Sequence, residues 1–264
     1  MLHNWLQICL FAALCLPGKV LHASDADDII ESSAKASYVF THYLKDENIH
    51  IRSENGFVTL TGMVSGDFQR SLANDMAENL PGVKSVDNKL GLTSETPSVY
   101  SDAWIRNKVK STLSFHRNVN GIGTEVWVEN GTVTLRGKAS STAQKDLATE
   151  YAMDVEGVKN VINDITVASA AINQDQTKMA ENVNTEMEFF DDASITVLVK
   201  TALLYHRSTN PLNIIVTTND GVVKLEGKVK NAAEKELAGK LTEGVHGVMS
   251  VSNKMTVFGE VQKK

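Results

Sequence analysis

The segment Asn130-Gly131-Thr132-Val133-Thr134-Leu135-Arg136-Gly137 decides the fold of this chain. It occurs twice more with few changes, as Asn-Gly-Phe-Val-Thr-Leu-Thr-Gly at 55–62 and as Asp-Gly-Val-Val-Lys-Leu-Glu-Gly at 220–227. In each copy a further glycine follows after twenty residues, so nine of the seventeen glycines form three triplets of identical spacing. The triplets are Gly56, Gly62 and Gly82; Gly131, Gly137 and Gly157; and Gly221, Gly227 and Gly247. Such a repeat predicts one small module used three times.

The second module shows the order of elements most clearly. Ser101-Asp102 offers an N-cap, and Ile105, Val109 and Leu113 follow at the spacing of one apolar stripe on a helix. Asn130-Gly131 separates two alternating runs and predicts a β-hairpin, because both residues tolerate a positive φ. A second helix and a last strand complete the module. The fold class is therefore α+β: three tandem αββαβ modules, each with a three-stranded sheet and two helices on one face.

The helical stripe recurs in the third module as Ile195, Val199 and Leu203. In the first module we assign it to Ala36, Phe40 and Leu44, which requires a loop about six residues shorter after the helix. The nine repeated glycines are explained as hairpin turns, strand exits and helix stops, since their spacing matches no glycine-rich nucleotide loop. One asparagine in each last strand is expected to bond to adjacent backbone: Asn88, Asn163 or Asn253.

These motifs resemble the BON domain. The resemblance rests on a helix with Asp-x-x-Ile-x-x-x-Val, a Gly-x-Val-x-Leu-x-Gly hairpin and a Gly-Val-x-x-Val-x-Asn strand, in three copies that cover nearly the whole chain after its N-terminal segment. It implies a kinship with osmotically inducible periplasmic proteins, nodulation proteins and outer-membrane lipoproteins, and an association with phospholipid. The family carries no catalytic residues. The resemblance therefore implies a protein that is not an enzyme.

We place the boundaries of the chain as follows: a signal peptide at 1–23, modules at 29–92, 101–168 and 193–258, and an acidic connector at 169–192. The connector either extends the following helix or forms a charged linker. Its length predicts that 193–258 can be separated from the rest, whereas the short tether near 93–101 predicts closer coupling between the first two modules.

The N-terminal segment predicts export. An apolar run from Trp5 to Leu16 is followed by Pro17-Gly18, and cleavage near Ala23 is expected. Both cysteines, Cys9 and Cys15, lie within this segment, so the mature chain would have no disulfide. This pattern is typical of a periplasmic protein. No other apolar run is long enough for a transmembrane span in the mature chain.

The charge pattern argues against a nucleic acid partner. The net charge of −6 becomes −7 when Lys19 leaves with the signal peptide. The connector 169–192 has one lysine and six acidic residues, whereas 193–258 has eight basic and five acidic residues. Residues 101–168 are balanced, with eight of each. Acidity is therefore concentrated outside the last two modules, and these are free to meet an anionic surface.

The histidines show no zinc spacing, and no nucleophile, base and orienting residue can be grouped. Neither a metal nor a cofactor is expected. His116-Arg117 and His206-Arg207 end the first helices of their modules, where a cation complements the helix dipole; an anion site there remains an alternative.

The first helix of the second module is the candidate membrane contact. Trp104 and Lys108 share one flank, and Arg106 and Lys110 lie toward the outer side. Tryptophan favours the headgroup region of a bilayer, and the cations would meet anionic phospholipid. The alternative is that Trp104 packs against a neighbouring module and the cations are only solvated.

The sequence thus predicts a non-enzymatic periplasmic protein of the osmotic and envelope-stress type that contacts anionic phospholipid or envelope proteins through its BON-like modules. One alternative is a periplasmic chaperone that binds unfolded exported proteins. A scaffold that docks onto an envelope complex is another.

Overall fold

A computed structural model of the protein describes residues 23–93, 97–121, 123–168, 190–209 and 213–258. Residues 1–22 of the predicted signal peptide and most of the connector lie outside these residues. The first module contains helix α1 (Ala23–Ala36), a short π-helical turn (Val39–Tyr43), strands β1 (Asn48–Glu54) and β2 (Phe57–Val64), helix α2 (Asp67–Glu78) and strand β3 (Ser85–Leu92).

The other two modules repeat this order. The second has α3 (Asp102–Phe115), β4 (Glu125–Glu129), β5 (Thr132–Ala139), α4 (Thr142–Met153) and β6 (Asn160–Val167). The third has α5 (Asp192–Tyr205), β7 (Ile214–Asn219), β8 (Val222–Val229), α6 (Ala232–Glu243), β9 (Ser250–Asn253) and β10 (Thr256–Val257). The predicted α+β fold of three αββαβ modules is therefore confirmed.

Each sheet has the hairpin's second strand at its centre. In the second module β4 and β5 are antiparallel, whereas β5 and β6 run parallel, with Val133 beside Val161 and Leu135 beside Asn163. A parallel pair needs a crossover connection, and α4 supplies it. In the third module β9 and β10 both pair with β8, so they act as one interrupted last strand.

The repeated glycines all have a positive φ, between 72° and 146°. At the hairpin of the second module Asn130 (φ 52°) and Gly131 (φ 79°) both have positive φ, as the tight turn requires. Gly137 lies opposite the start of β4, where an added Cβ would be 2.6 Å from the carbonyl oxygen of Gly123. Gly131 and Gly137 therefore exclude larger residues for reasons of backbone geometry.

The asparagine of each last strand bridges two pieces of backbone, as expected. The Asn163 amide donates to the Lys145 carbonyl in α4 (2.7 Å) and accepts from the Ile165 N–H (3.0 Å). Asn88 and Asn253 make the equivalent bonds in their modules. These side chains hold the second helix against the sheet.

The stripe assignment in the first module was wrong. Ile30 and Ala34 are the buried apolar residues of α1, whereas Ala36 is exposed and Phe40 is half-buried. Leu44 is buried as predicted, but it lies after the π-helical turn and not on the helical stripe. Asp27 aligns the first helix with that of the second module, because it binds Gly56 as Asp102 binds Gly131. In both modules the aspartate lies 29 residues before the glycine. The spacing is thus constant, and no shorter loop is needed.

The three modules pack on one another. One cluster of buried apolar residues joins the first and third modules and includes Phe115 of the second, and another cluster lies within the second module. Helix α5 is buried on nearly all sides, with Val197 and Leu198 at 0% exposure. The structure therefore argues against the expected independence of residues 193–258, because removing the first module would expose this helix.

Candidate membrane-contact site

The first turn of α3 is hydrogen-bonded to the hairpin of its own module. Ser101 caps the helix by accepting a hydrogen bond from the Trp104 N–H (3.2 Å). The carboxylate of Asp102 accepts bonds from the N–H groups of Asn130 (2.7 Å) and Gly131 (2.9 Å). This contact fixes the direction in which the first turn of α3 presents its side chains.

The same aspartate contact occurs in every module. Asp192 accepts from Asp220 and Gly221, and Asp27 accepts from Asn55 and Gly56. Hydrogen bonds, led by that of the Ser53 hydroxyl, hold the pKa of Asp27 below its ordinary value. These aspartates have a structural role, and the repeated Asp-x-x-Ile motif is explained by it.

Trp104 is half-buried and packs against the core of the second module. Arg106 and Lys110 are both exposed. At 3.6 residues per turn, Trp104 and Lys110 lie about 120° apart around the helix, with the exposed Asn107 between them. If α3 rests on a flat surface with Asn107 facing it, the Trp104 indole and the Lys110 ammonium group both reach that surface.

Lys108 points in a different direction from the two exposed cations. Its Nζ lies 3.3 Å from the ring centroid of Tyr205 in α5 and 5.4 Å from that of Trp104. Burial lowers the pKa of Lys108 to about 8, because a buried ammonium loses hydration. Lys108 thus belongs to the contact between α3 and α5.

Sequence reasoning missed two exposed residues beside Trp104. Val99 and Tyr100 are 64% and 54% exposed, in the turn that precedes α3. The Tyr100 ring meets the Trp104 ring edge to face at 5.3 Å, and its hydroxyl donates to Glu156 (2.8 Å). The only sequence signal was the pair of large residues within a polar tether. We define the α3 surface as Val99, Tyr100, Trp104, Arg106 and Lys110.

The outer face of the sheet in the second module carries a second exposed tryptophan. Trp127 in β4 is 62% exposed, and it lies in register with Thr134 of β5 and the 46% exposed Ile162 of β6. This row lies on the face of the sheet away from the helices. This face of the sheet is the alternative to the α3 surface as a lipid-contact site.

The histidines at the helix ends lie in a junction between the second and third modules. The backbone of His116 pairs with that of Val245, and the backbone of His206 pairs with that of Val155. Since these are equivalent positions, the two contacts are reciprocal, as in a two-fold interface.

Side chains distinguish the two halves of this junction. His206 Nε2 lies 3.2 Å from a carboxylate oxygen of Asp154 and, chiefly through this hydrogen bond, lowers the pKa of Asp154. His116 instead stacks on the Tyr151 ring, at 3.8 Å and 4°. Burial lowers the pKa of His116 to about 4. A neutral His116 does not favour the anion site that the sequence left open at His116-Arg117.

Within the described ranges no cluster of three or more histidine, cysteine or acidic residues could hold a metal ion. In the same ranges no helix is both long and apolar enough to cross a bilayer.

Comparison with protein families gives matches to the BON domain at 26–93, 101–169 and 191–258, which is most of the chain. The chain belongs to the BON domain family. Each of its three modules, with its hairpin, its aspartate contact and its bridging asparagine, is one BON domain.

Three curated proteins are similar to these BON domains. Osmotically-inducible protein Y of Escherichia coli (strain K12) is 28% identical over 196 residues, which is 74% of this chain and 90% of that protein. The 21 kDa hemolysin of Actinobacillus pleuropneumoniae is 32% identical over 52% of this chain and 71% of its own length. Outer membrane lipoprotein DolP of Haemophilus influenzae is 31% identical over 42% of this chain and 58% of its own length.

Proposed function

We propose that this protein is exported to the periplasm and acts there as a non-enzymatic protein of the osmotic and envelope-stress type. The names of two relatives denote an osmotic response and an outer-membrane lipoprotein, and both support this proposal. The apolar N-terminal segment supports export. Cell fractionation tests this step: uncleaved protein in the cytoplasm would contradict it.

We further propose that the protein contacts anionic phospholipid through the α3 surface. The observation that carries this proposal is the combination of Trp104 and Tyr100 with two exposed cations on one helix and its preceding turn. Aromatic side chains favour the headgroup region, and each cation near an anionic leaflet contributes about 1 kcal/mol. Lys108 is excluded from the contact, because it faces Tyr205.

This composition predicts weak and salt-sensitive binding. Lys110, about 120° from Trp104 around the helix, supplies about 1 kcal/mol of electrostatic attraction, whereas Arg106, about 160° from Trp104, supplies less. Salt screens the attraction of both exposed charges. Trp104 is half-buried and the exposed Tyr100 ring already contacts it, so further burial of the two rings adds only part of their full transfer free energy. Binding to vesicles without anionic lipid should therefore be much weaker.

Tryptophan fluorescence tests the proposal directly, since Trp104 and Trp127 are the only tryptophans after residue 5. In a chain that begins at Ser24, Trp127→Phe leaves Trp104 as the sole reporter, and Trp104→Phe leaves Trp127. Each protein is titrated with vesicles of phosphatidylcholine, with and without phosphatidylglycerol. We expect a blue shift of the Trp104 emission with the anionic vesicles only, and no shift for Trp127.

Charge reversal supplies the matched control. The paired variant Arg106→Glu, Lys110→Glu should abolish binding in vesicle flotation, whereas Arg136→Glu, Lys138→Glu should leave it intact, because the latter cations lie on β5. Each variant is first shown by circular dichroism to be folded. A blue shift of Trp127 together with loss of binding in the β5 pair would instead place the contact on the sheet face. Flotation that neither pair affects would refute both surfaces and favour the basic third module.

A further inference from the structure

Each module has a groove between its first helix and the glycine that follows its second helix. In the second module the ring of Tyr100 covers this groove. An added Cβ at Gly157 would lie 3.2 Å from Cδ1 of Tyr100 and 3.2 Å from the side chain of Ile105. The Tyr100 hydroxyl donates to Glu156, which precedes the glycine. The chain thus fills the groove with its own aromatic side chain.

The third module fills its groove in the same way. Phe190, like Tyr100, stands two positions before the aspartate that binds the hairpin. An added Cβ at Gly247 would lie 2.6 Å from Cβ and Cγ of Phe190. The Phe190 ring also packs on Tyr38 (4.0 Å between centroids) and lies parallel to His246 (5.8 Å).

The groove of the first module is open in the part of the chain that the structure describes. It has a volume of about 430 Å³ and is lined mainly by Ala26, Ile29, Ile30, Pro81 and Gly82. The nearest group to an added Cβ at Gly82 is Cδ1 of Ile30, at 3.5 Å, and no aromatic ring is in contact there. Ile29 is 51% exposed as a result.

The helix boundaries explain why no aromatic ring of the described residues covers this groove. Helices α3 and α5 begin at Asp102 and Asp192, so the residue two positions earlier lies outside the helix and can fold back over the glycine. Helix α1 begins at Ala23, four residues before Asp27. The equivalent position is therefore Asp25, a helical and exposed carboxylate.

We propose that the groove of the first module binds the phenylalanine side chain of a polypeptide partner that carries a carboxylate close to that residue. The size and apolar lining suit one aromatic ring, and two equivalent grooves in the same chain hold one. Pro81 occupies the position equivalent to Glu156, which accepts the hydrogen bond of the Tyr100 hydroxyl in the second module. Proline offers no side-chain acceptor, so phenylalanine is preferred to tyrosine. This inference is independent of the membrane contact.

The reason for choosing a partner with a carboxylate is one cation, Lys84, at the rim of the groove. Asp27 keeps its negative charge, but its carboxylate faces the hairpin, where it accepts hydrogen bonds from Ser53, Asn55 and Gly56. Lys84 lines the groove, and its ammonium donates one bond to the Asn55 carbonyl (2.9 Å). An ammonium group has three donors, so further donors remain for a carboxylate of the partner.

Calorimetric titration of the chain that begins at Ser24 tests the proposal. The probe is a heptapeptide with the sequence of residues 97–103 in which Tyr100→Phe provides the aromatic ring. Control peptides replace that phenylalanine with alanine, or Asp102 with asparagine. We expect binding of the probe, a loss of about tenfold or more without the ring, and a smaller loss without the carboxylate.

Protein variants locate the binding. Ile29→Glu should weaken binding by about tenfold or more, whereas Ile215→Glu, at a similarly exposed isoleucine of β7, should not. Lys84→Met should remove the preference for aspartate over asparagine in the peptide. Pro81→Glu should shift the preference from the phenylalanine probe toward the same peptide with its natural tyrosine. The new carboxylate would accept the tyrosine hydroxyl, as Glu156 does in the second module.

Three results of the peptide titrations would overturn the proposal: no binding of the probe at millimolar peptide, equal affinity of the probe and its alanine control, or equal loss in Ile29→Glu and Ile215→Glu. Self-association of the protein that disappears in Ile29→Glu would also overturn it. That result would assign the groove to a second copy of the chain.

Discussion

Acidification should destabilise this protein through His116. The side chain is 1% exposed and lies flat on the Tyr151 ring in the junction between the second and third modules. Burial, with smaller effects of His246 and His206, lowers its pKa from 6.5 to about 4. The unfolded chain therefore binds a proton at His116 more readily than the folded protein does. The stabilising contribution is present above pH 6.5 and is lost as the pH falls toward 4.

The expected magnitude follows from this difference in pKa. Each pH unit between the two values is worth about 1.36 kcal/mol, so the full loss is about 3 kcal/mol. Asp154 adds to the loss only at lower pH, because its pKa is already acidic and is lowered further by His206. Between about pH 7.5 and about pH 4.5, His116 alone should lower the free energy of unfolding by about 2.5 kcal/mol.

Urea unfolding at several pH values measures this effect. His116→Phe keeps a ring against Tyr151 but cannot be protonated, so its stability should fall less on acidification than that of the wild type. The difference between the two curves isolates His116 from the other histidines. His50→Phe, at an exposed position in β1, serves as the control and should follow the wild type. Parallel curves for the wild type and His116→Phe would refute the reasoning.

Three further results are expected. Asp102→Ala should lower the free energy of unfolding by about 1–3 kcal/mol, because it leaves two hairpin N–H groups without their acceptor; an unchanged urea midpoint would contradict this role. Phe115→Ala should cost about 3–5 kcal/mol while unfolding stays a single transition, since this ring packs among all three modules; separate transitions in the wild type would contradict the shared core. The fragment 193–258 should aggregate or lack a cooperative thermal transition, because α5 would expose Val197 and Leu198; a soluble fragment with native-like circular dichroism would show that the module is independent.

Local features of the fold could be read from the sequence because they depend on nearby residues. Asn130-Gly131 requires positive φ at two consecutive positions, and only a few residue types accept that conformation at low cost. The same holds for the glycine that ends each second helix. Three copies at constant spacing therefore predicted the hairpins, the helices and the number of modules. That Asn163 bonds to backbone followed because a half-buried amide needs partners.

The candidate site was only partly predictable. Periodicity placed Arg106 and Lys110 on the exposed side of α3 and Trp104 at its edge. It could not show that Lys108 faces Tyr205, since these residues lie almost one hundred positions apart in the chain. It also missed Tyr100, which stands in a tether without periodicity.

The relations between modules were decided by the tertiary structure. The sequence suggested that the second module is coupled to the first and that the third is independent, because it shows linker lengths and not the faces that meet. The structure instead joins the first and third modules in one apolar cluster around α5. The sequence determined each module because backbone geometry and apolar periodicity act over short distances. Tertiary structure decided their arrangement, and which groove stays open, because packing depends on side chains that are distant in the sequence.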